Sequence, residues 1–389
     1  MKLANRMDNL SPSVTMAITA LARELKAEGK DILSFSAGEP DFNTPDVIKE
    51  AAITAIRDGH TKYTAVEGIV ETKQAIINKL KRDHGLNYEL GHVVISNGAK
   101  HSLFNLFQLL IKEGDEVIIP APYWVTYPEQ VKYSDGVPVF IETDDSTNFK
   151  VTAEQIKAAI TPKTTILLLN TPSNPTGAVY SKEELTAIGK VLEGTDILVF
   201  SDEMYEKIMY DGKTFTAAAE VSADMYERTV TINGLSKSVA MTGWRFGYIA
   251  TPKTELVKAM IKLQGQCTSN VNSITQHAAI AALDGHADDS IKMMKDAFEE
   301  RRNIAVAQFN AIEGITCVNP DGAFYLFVNI KEVTNDSMEF SSKLLEEKGV
   351  AVVPGLAFGT EGYFRFSFAT DLATIEEGIR RIKAFVESK

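Results

Sequence analysis

The sequence predicts an α/β protein: a mainly parallel sheet flanked by helices in a large domain, joined to a smaller α+β domain. Three observations lead there. Between about residues 45 and 285, short continuous apolar runs alternate with segments of helical period, the pattern of strands buried on both faces by crossover helices. A long helical pattern from Ser290 to roughly Ala311 then interrupts the alternation. Beyond it, strand-like and helix-like stretches follow in the looser order of an α+β unit. At 389 residues the chain is long enough for two such units. The expected boundaries are 45–288 for the large domain and 1–44 plus 289–389 for the small one, with the first forty or so residues returning to the second unit.

Ser11-Pro12-Ser13 precedes a periodic stretch from Val14 to Lys26 that Gly29 ends, the signature of a capped amphipathic helix. The apolar runs are Val93–Ser96, Glu116–Ile119, Pro138–Glu142, Thr165–Leu169, Ile197–Phe200, Val230–Ile232 and Gly247–Ala250. Helical periods are clearest over Ser102–Ile111, Ala153–Ile160 and Glu183–Leu192. In the second unit, Ala323–Val328, Gly349–Val353 and Tyr363–Phe368 read as strands. Ser337–Lys348 and a final stretch near Leu372–Ser388 read as helices.

Composition narrows the function classes. Apolar residues make up 44% and the formal charge is −12, so the chain is globular and disfavours nucleic acid and anionic membrane as partners. An anionic ligand would need a local concentration of Arg and Lys. Cys267 and Cys317 are the only cysteines and the six histidines are scattered, which gives no metal signal and points to reduced thiols in the cytoplasm. No run has signal-peptide or membrane-spanning character.

Polar residues recur just after the strands. Asn97-Gly98-Ala99-Lys100, Pro122-Tyr123-Trp124, Asn170-Thr-Pro-Ser-Asn174-Pro175, Asp202-Glu203-Met-Tyr205 and Ser236-Lys237 each follow an apolar run. In an open parallel sheet, ligands bind beyond the carboxyl ends of strands, so these groups can share one site. A lysine just past a buried strand can be desolvated, lose its proton and form a Schiff base with a carbonyl. Ser236 and Arg245 beside it suit a phosphate, and Gly98-Ala99-Lys100 opens a helix whose free N–H groups suit a dianion. An aldehyde with a phosphate describes pyridoxal 5'-phosphate. Taken singly, each residue has a plainer reading: Asp202 as a helix cap or buried ion pair, Trp124 as core, Arg245 as a surface ion pair, Lys100 as a solvated lysine.

Together these residues resemble the fold-type I aminotransferases, most closely the aspartate aminotransferases of the prokaryotic branch. The resemblance runs from Ser36-Ala-Gly-Glu-Pro-Asp41 to Tyr363-Phe-Arg-Phe-Ser367, through Asn-Pro-Thr-Gly, Ser-Asp-Glu-x-Tyr and Ser-Lys-x4-Thr-Gly-Trp-Arg. It implies that Lys237 holds pyridoxal phosphate as a Schiff base and shuttles the substrate proton. It implies that Asp202 pairs with the pyridine nitrogen, Tyr205 and Asn174 contact the phenolic oxygen, and Trp124 stacks on the ring. Gly98, Ala99, Lys100, Ser236 and Arg245 are then the phosphate cradle, with Tyr63 reaching the phosphate of a neighbouring subunit in a homodimer. Arg365 would clamp the substrate α-carboxylate near Gly38 and Asn174, and Lys100 the distal carboxylate, with Trp124 beside the substrate. The Ala121-Pro122 and Asn174-Pro175 bonds are expected to be cis.

The activity implied is transamination of L-aspartate with 2-oxoglutarate. The alternatives are an aminotransferase for aromatic amino acids or prephenate, or a carbon–sulfur lyase of the same fold. A cofactor-sensing transcription regulator would need a basic winged-helix segment before the core, where this sequence moves almost directly into the Val14 helix.

Overall fold

The computed structural model describes residues 3–388. Its centre is a seven-stranded sheet in the order Val93–Asn97, Phe246–Ala250, Thr229–Gly234, Leu198–Asp202, Thr164–Asn170, Glu116–Ala121, Val137–Glu142. Phe246–Ala250 runs antiparallel to both of its neighbours, and the remaining pairs are parallel. Ile166, Leu167, Val199, Phe200, Val230 and Ile232 are fully buried, as expected where helices cover both faces and every position of the strand is apolar.

Most of the strands run one or two residues further than their apolar runs, and the reason is ladder pairing. Asn170 pairs with Asp202, and Asp202 with Ile232, so polar residues end the strands at the sheet's carboxyl edge. Asn233-Gly234 does not break its strand as its composition predicts: Gly234 pairs with Gly247, where a Cβ would meet backbone on the neighbouring strand. The helix whose period is clearest from Ser102 begins at Ala99, where Gly98-Ala99-Lys100 is expected to open it, because Gly98 takes φ +83° and turns the chain directly from strand into helix. Six helices had no distinct sequence signal: Asp46–Arg57, Val70–His84, Thr126–Tyr133, Ala223–Arg228, Thr254–Cys267 and Ser273–Leu283.

After the long helix Asp288–Phe309, a four-stranded antiparallel sheet is ordered Val353–Pro354, Tyr363–Ser367, Tyr325–Asn329, Thr316–Cys317. Leu33–Ser34 pairs in parallel with Val350–Ala351, which joins the N-terminal segment to these later elements. The apolar stretch from Gly349 therefore divides between two sheets. Helix Val14–Ala27 has the expected cap, with the Ser13 hydroxyl accepting from the Met16 N–H, yet Ala22 is its one buried residue.

Candidate active site

A cavity of about 920 Å³ opens at the carboxyl edge of the large sheet, a volume suited to a cofactor with its substrate. Ala99, Lys100, Trp124, Asn174, Asp202, Tyr205, Ser236, Lys237, Arg245, Gly38 and Arg365 all line it. Gly98 lies beneath its floor as the helix cap. Tyr63 does not reach it and is 90% exposed. The Ala121-Pro122 and Asn174-Pro175 bonds are cis as expected, and Thr171-Pro172, which had no signal, is cis as well.

Lys237 follows the buried strand Thr229–Gly234, and its amine donates to the Gly38 carbonyl. Burial pulls its pKa down to about 8; the Glu39 charge opposes this, and Arg365 and Arg245 reinforce it. A lysine poised there can exchange a proton near neutral pH. Asp202, at the end of its strand, is 4% exposed. Burial pushes its carboxyl up to about 6, although the Tyr127 hydroxyl donates to it at 2.7 Å. It has no ion-pair partner among the described residues, so a cationic N–H arriving from the cavity would relieve the cost of its charge.

The expected phosphate cradle is built largely from backbone. Gly98 gives no side-chain cap to the helix Ala99–Leu110, and that helix has no acid in its first turn, so its leading N–H groups are left for a ligand. A Cβ on Gly98 would lie 2.5 Å from the Arg245 guanidinium, and one on Gly247 would strike Gly98 and Ala99. Two glycines thus let helix end, sheet and guanidinium converge. Arg245 holds φ +57°, an unusual backbone for a side-chain-bearing residue. It donates to the Thr242 carbonyl at 2.9 Å and to the Asn97 carbonyl at 3.4 Å.

Arg365 comes from the smaller sheet, where it pairs with Phe327 and Val353. Its guanidinium donates to Asn174 Oδ1 at 2.9 Å and to the Ser36 carbonyl at 2.7 Å, while its Nε has no partner. It is 2% exposed and stands 4.5 Å from the Tyr325 ring centroid. Lys100 is exposed, with its ammonium 4.9 Å from the Trp124 ring centroid. Lys100, Arg245 and Arg365 form no ion pair among the described residues, so three cations meet the cavity without an ion-pair partner.

Several members escaped sequence reasoning. Tyr325 shares a 2.8 Å hydrogen bond with Tyr205. Tyr127 lies three positions after Trp124, edge-on to it, and reaches Asp202; that i+3 spacing on a helix start was the available signal. Asn170 accepts from the Asn174 N–H at 2.8 Å and donates to the Asp202 carbonyl at 3.0 Å. Glu39 lines the cavity next to Gly38.

The family model described as "Aminotransferase class I and II" matches residues 30–382. The chain belongs to the class I and II aminotransferases. It is 50% identical to an aspartate aminotransferase of Geobacillus stearothermophilus, with all of both chains covered. It is 47% identical to an aspartate/prephenate aminotransferase of Nitrosomonas europaea, covering 99% of this chain and all of the relative. A solved aspartate aminotransferase from Thermus thermophilus with maleate superposes at TM-score 0.95 and 39% identity, over 99% of each chain. This aminotransferase is therefore an enzyme that depends on pyridoxal 5'-phosphate. The cavity fits that group: capless helix N–H groups and Arg245 for the phosphate, Asp202 for the ring nitrogen, Lys237 for the aldehyde.

Proposed function

We propose that this aminotransferase moves the amino group of L-aspartate to 2-oxoglutarate, yielding oxaloacetate and L-glutamate. The observation that carries the reading is the set of three cations around Lys237, none of them in an ion pair among the described residues. One phosphate and two carboxylates would match them. Arg245 with the helix end takes the phosphate, Arg365 the carboxylate next to the reacting carbon, and Lys100 the distal carboxylate.

When bound, pyridoxal phosphate supplies an aldehyde carbon and an electron-withdrawing ring. The residues do the rest. Arg365 presents a planar fork that orients the substrate carboxylate, and thereby the Cα–H bond. Lys237, with its lowered pKa, would take the proton from the substrate Cα and return it to the carbon that was the cofactor's aldehyde. Asp202 would keep the ring nitrogen protonated, Tyr205 and Asn174 would hold the ring's oxygen, and Trp124 would cover the ring. Initial rates with aspartate, glutamate, alanine, phenylalanine and prephenate as amino donors or, for prephenate, as acceptor would test the assignment. Aspartate and glutamate should dominate. Faster turnover of prephenate would move the assignment to the activity carried by the Nitrosomonas relative.

We further infer a homodimer with shared sites, supported by Tyr63 standing exposed and outside its own cavity. Mixing inactive Lys237→Ala and Tyr63→Phe chains should restore activity through hybrids with one intact site. No recovery after proven subunit exchange would refute it. The division at 45–288 against 1–44 plus 289–389 is supported by the large sheet lying between Val93 and Ala250, with the smaller sheets outside that span. A cytoplasmic location accords with the free thiols of Cys267 and Cys317. No helix among the described residues is long and apolar enough to cross a membrane.

A further inference from the structure

Residues 36–44 touch Arg365 and Lys237 directly and reach Arg245 through Thr242. The Ser36 carbonyl accepts from Arg365 at 2.7 Å, and the Gly38 carbonyl from Lys237. Glu39 Oε2 accepts from the Thr242 hydroxyl at 2.9 Å, and the Thr242 carbonyl accepts from Arg245 at 2.9 Å. Thr44 donates to the Ala240 carbonyl at 2.7 Å and accepts from Trp244 Nε1 at 3.0 Å. Asp41 is gripped by both terminal nitrogens of Arg301, at 2.9 and 3.0 Å. Most of these contacts are backbone or neutral. The Glu39–Thr242 contact differs, because it fixes a carboxylate at the cavity wall beside the lysine loop.

We propose that Glu39, latched by Thr242, is a positioning residue that seats the Gly38 carbonyl against the Lys237 amine and keeps a negative charge beside it. Four charged groups face that amine: Arg365 and Arg245, which repel its proton, and Glu39 and Asp202, which favour it. Burial is the largest influence and lowers the lysine; Glu39 is the next and opposes it. Asp202 is committed to the ring nitrogen when the cofactor is bound, which leaves Glu39 as the counter-charge. A general base must hold its proton and also release it, so an amine stripped of that counter-charge would be a poorer acceptor. The Thr242 hydroxyl matters because a carboxylate on a free Glu stem would swing into solvent, where screening weakens it. The same latch runs through Thr242 to Arg245, so it also sets the lysine loop against the phosphate guanidinium.

The inference rests on the reading of Lys237 as the reacting amine, and the full chain can test the two separately. With pyridoxal phosphate bound, the pH midpoint of the visible absorbance reports the nitrogen attached to the cofactor. With the cofactor removed, the pH midpoint for labelling Lys237 with an amine reagent, located by mass spectrometry, reports the free amine. Glu39→Gln keeps an oxygen acceptor for Thr242 but removes the charge, and should lower both midpoints by about one pH unit, as loss of a nearby opposite charge does. Thr242→Val should shift them the same way, and Thr242→Ser should restore the original values. A purely structural role would lower the melting temperature of these variants and leave both midpoints in place, and that result overturns the proposal. So does a Thr242→Ser protein that behaves like Thr242→Val, a comparison that stands even if Glu39→Gln fails to fold. A visible band that does not titrate in the unaltered protein would instead count against Lys237 as the attached amine, while the labelling midpoints still judge Glu39.

Discussion

Arg365 and Lys100 face one cavity and are held in opposite ways. Arg365 is buried in a strand, with its terminal nitrogens fixed by Asn174 and Ser36 and its guanidinium carbon 4.5 Å from the Tyr325 ring centroid and 5.1 Å from that of Phe358. Lys100 stands exposed on the first turn of a helix, with an aromatic ring beside its ammonium. The difference follows what each is asked to read. Every amino acid and 2-oxo acid carries a carboxylate at the reacting carbon, so a rigid planar fork can serve them all. Side chains vary in length, and a point charge on a flexible stem can follow them. On the proposed assignment, the fixed cation is the reaction's orienting group and the adjustable one its selector.

The largest effect should come from removing what both cations serve. Lys237→Ala should lower kcat by at least a hundred- to ten-thousand-fold, the range for losing a general acid–base group, equally for every amino donor. The protein should still retain the cofactor through gel filtration, seen by its absorbance. Next is Arg365→Lys, which keeps the charge and loses the fork. It should lower kcat/KM by about tenfold or more, from the ~1.5–3 kcal/mol of a lost hydrogen bond to a charged group, for aspartate and alanine alike. A loss confined to aspartate would reverse the roles assigned to the two cations.

Gly98→Ala probes the cradle between them. Its Cβ would displace the Arg245 guanidinium, so cofactor titration into the cofactor-free protein should show about tenfold weaker binding, ~1.4 kcal/mol, with the ranking of amino donors unchanged. The smallest effect concerns the wall behind the rigid half. Glu206, one residue past Tyr205, is 7% exposed and accepts from His84 at 2.7 Å and from Lys79. Burial works against a charged His84, but its hydrogen bond with Glu206 and the Glu220 carboxylate 3.5 Å from Nδ1 outweigh it and raise its pKa from 6.5 to about 9. A raised folded-state pKa means stability fully present below about 6.5 and lost as pH climbs through 9. Melting temperature should therefore decline across that window, and His84→Asn should flatten the decline. An unchanged slope would show that His84 is not charged in the folded protein.

The alternation of apolar runs and helical periods made the large sheet legible, because strands covered on both faces must be apolar throughout. The site was legible for the same reason: polar residues such as Asp202 and Ser236 stand out at the ends of such runs. Helices such as Val70–His84 were harder to read, since Lys73 and Lys79 are buried within it and blur its apolar stripe. Tyr127 and Tyr325 were missed because a tyrosine packs as core with its ring while its hydroxyl works in the cavity. Glu39 was missed because its importance depends on Thr242, about two hundred residues away in sequence, a juxtaposition that only the fold creates.

The most direct test of the division between orienting and selecting cations is the ratio of kcat/KM for aspartate to that for alanine in Lys100→Ala. If Lys100 reads the distal carboxylate, aspartate should lose about tenfold or more, the equivalent of ~1.4 kcal/mol or above, while alanine is nearly unaffected, so the ratio collapses. Equal losses for both donors would contradict the account: Lys100 would then serve the cofactor phosphate or the helix, and the selector for acidic side chains would have to lie elsewhere in the cavity.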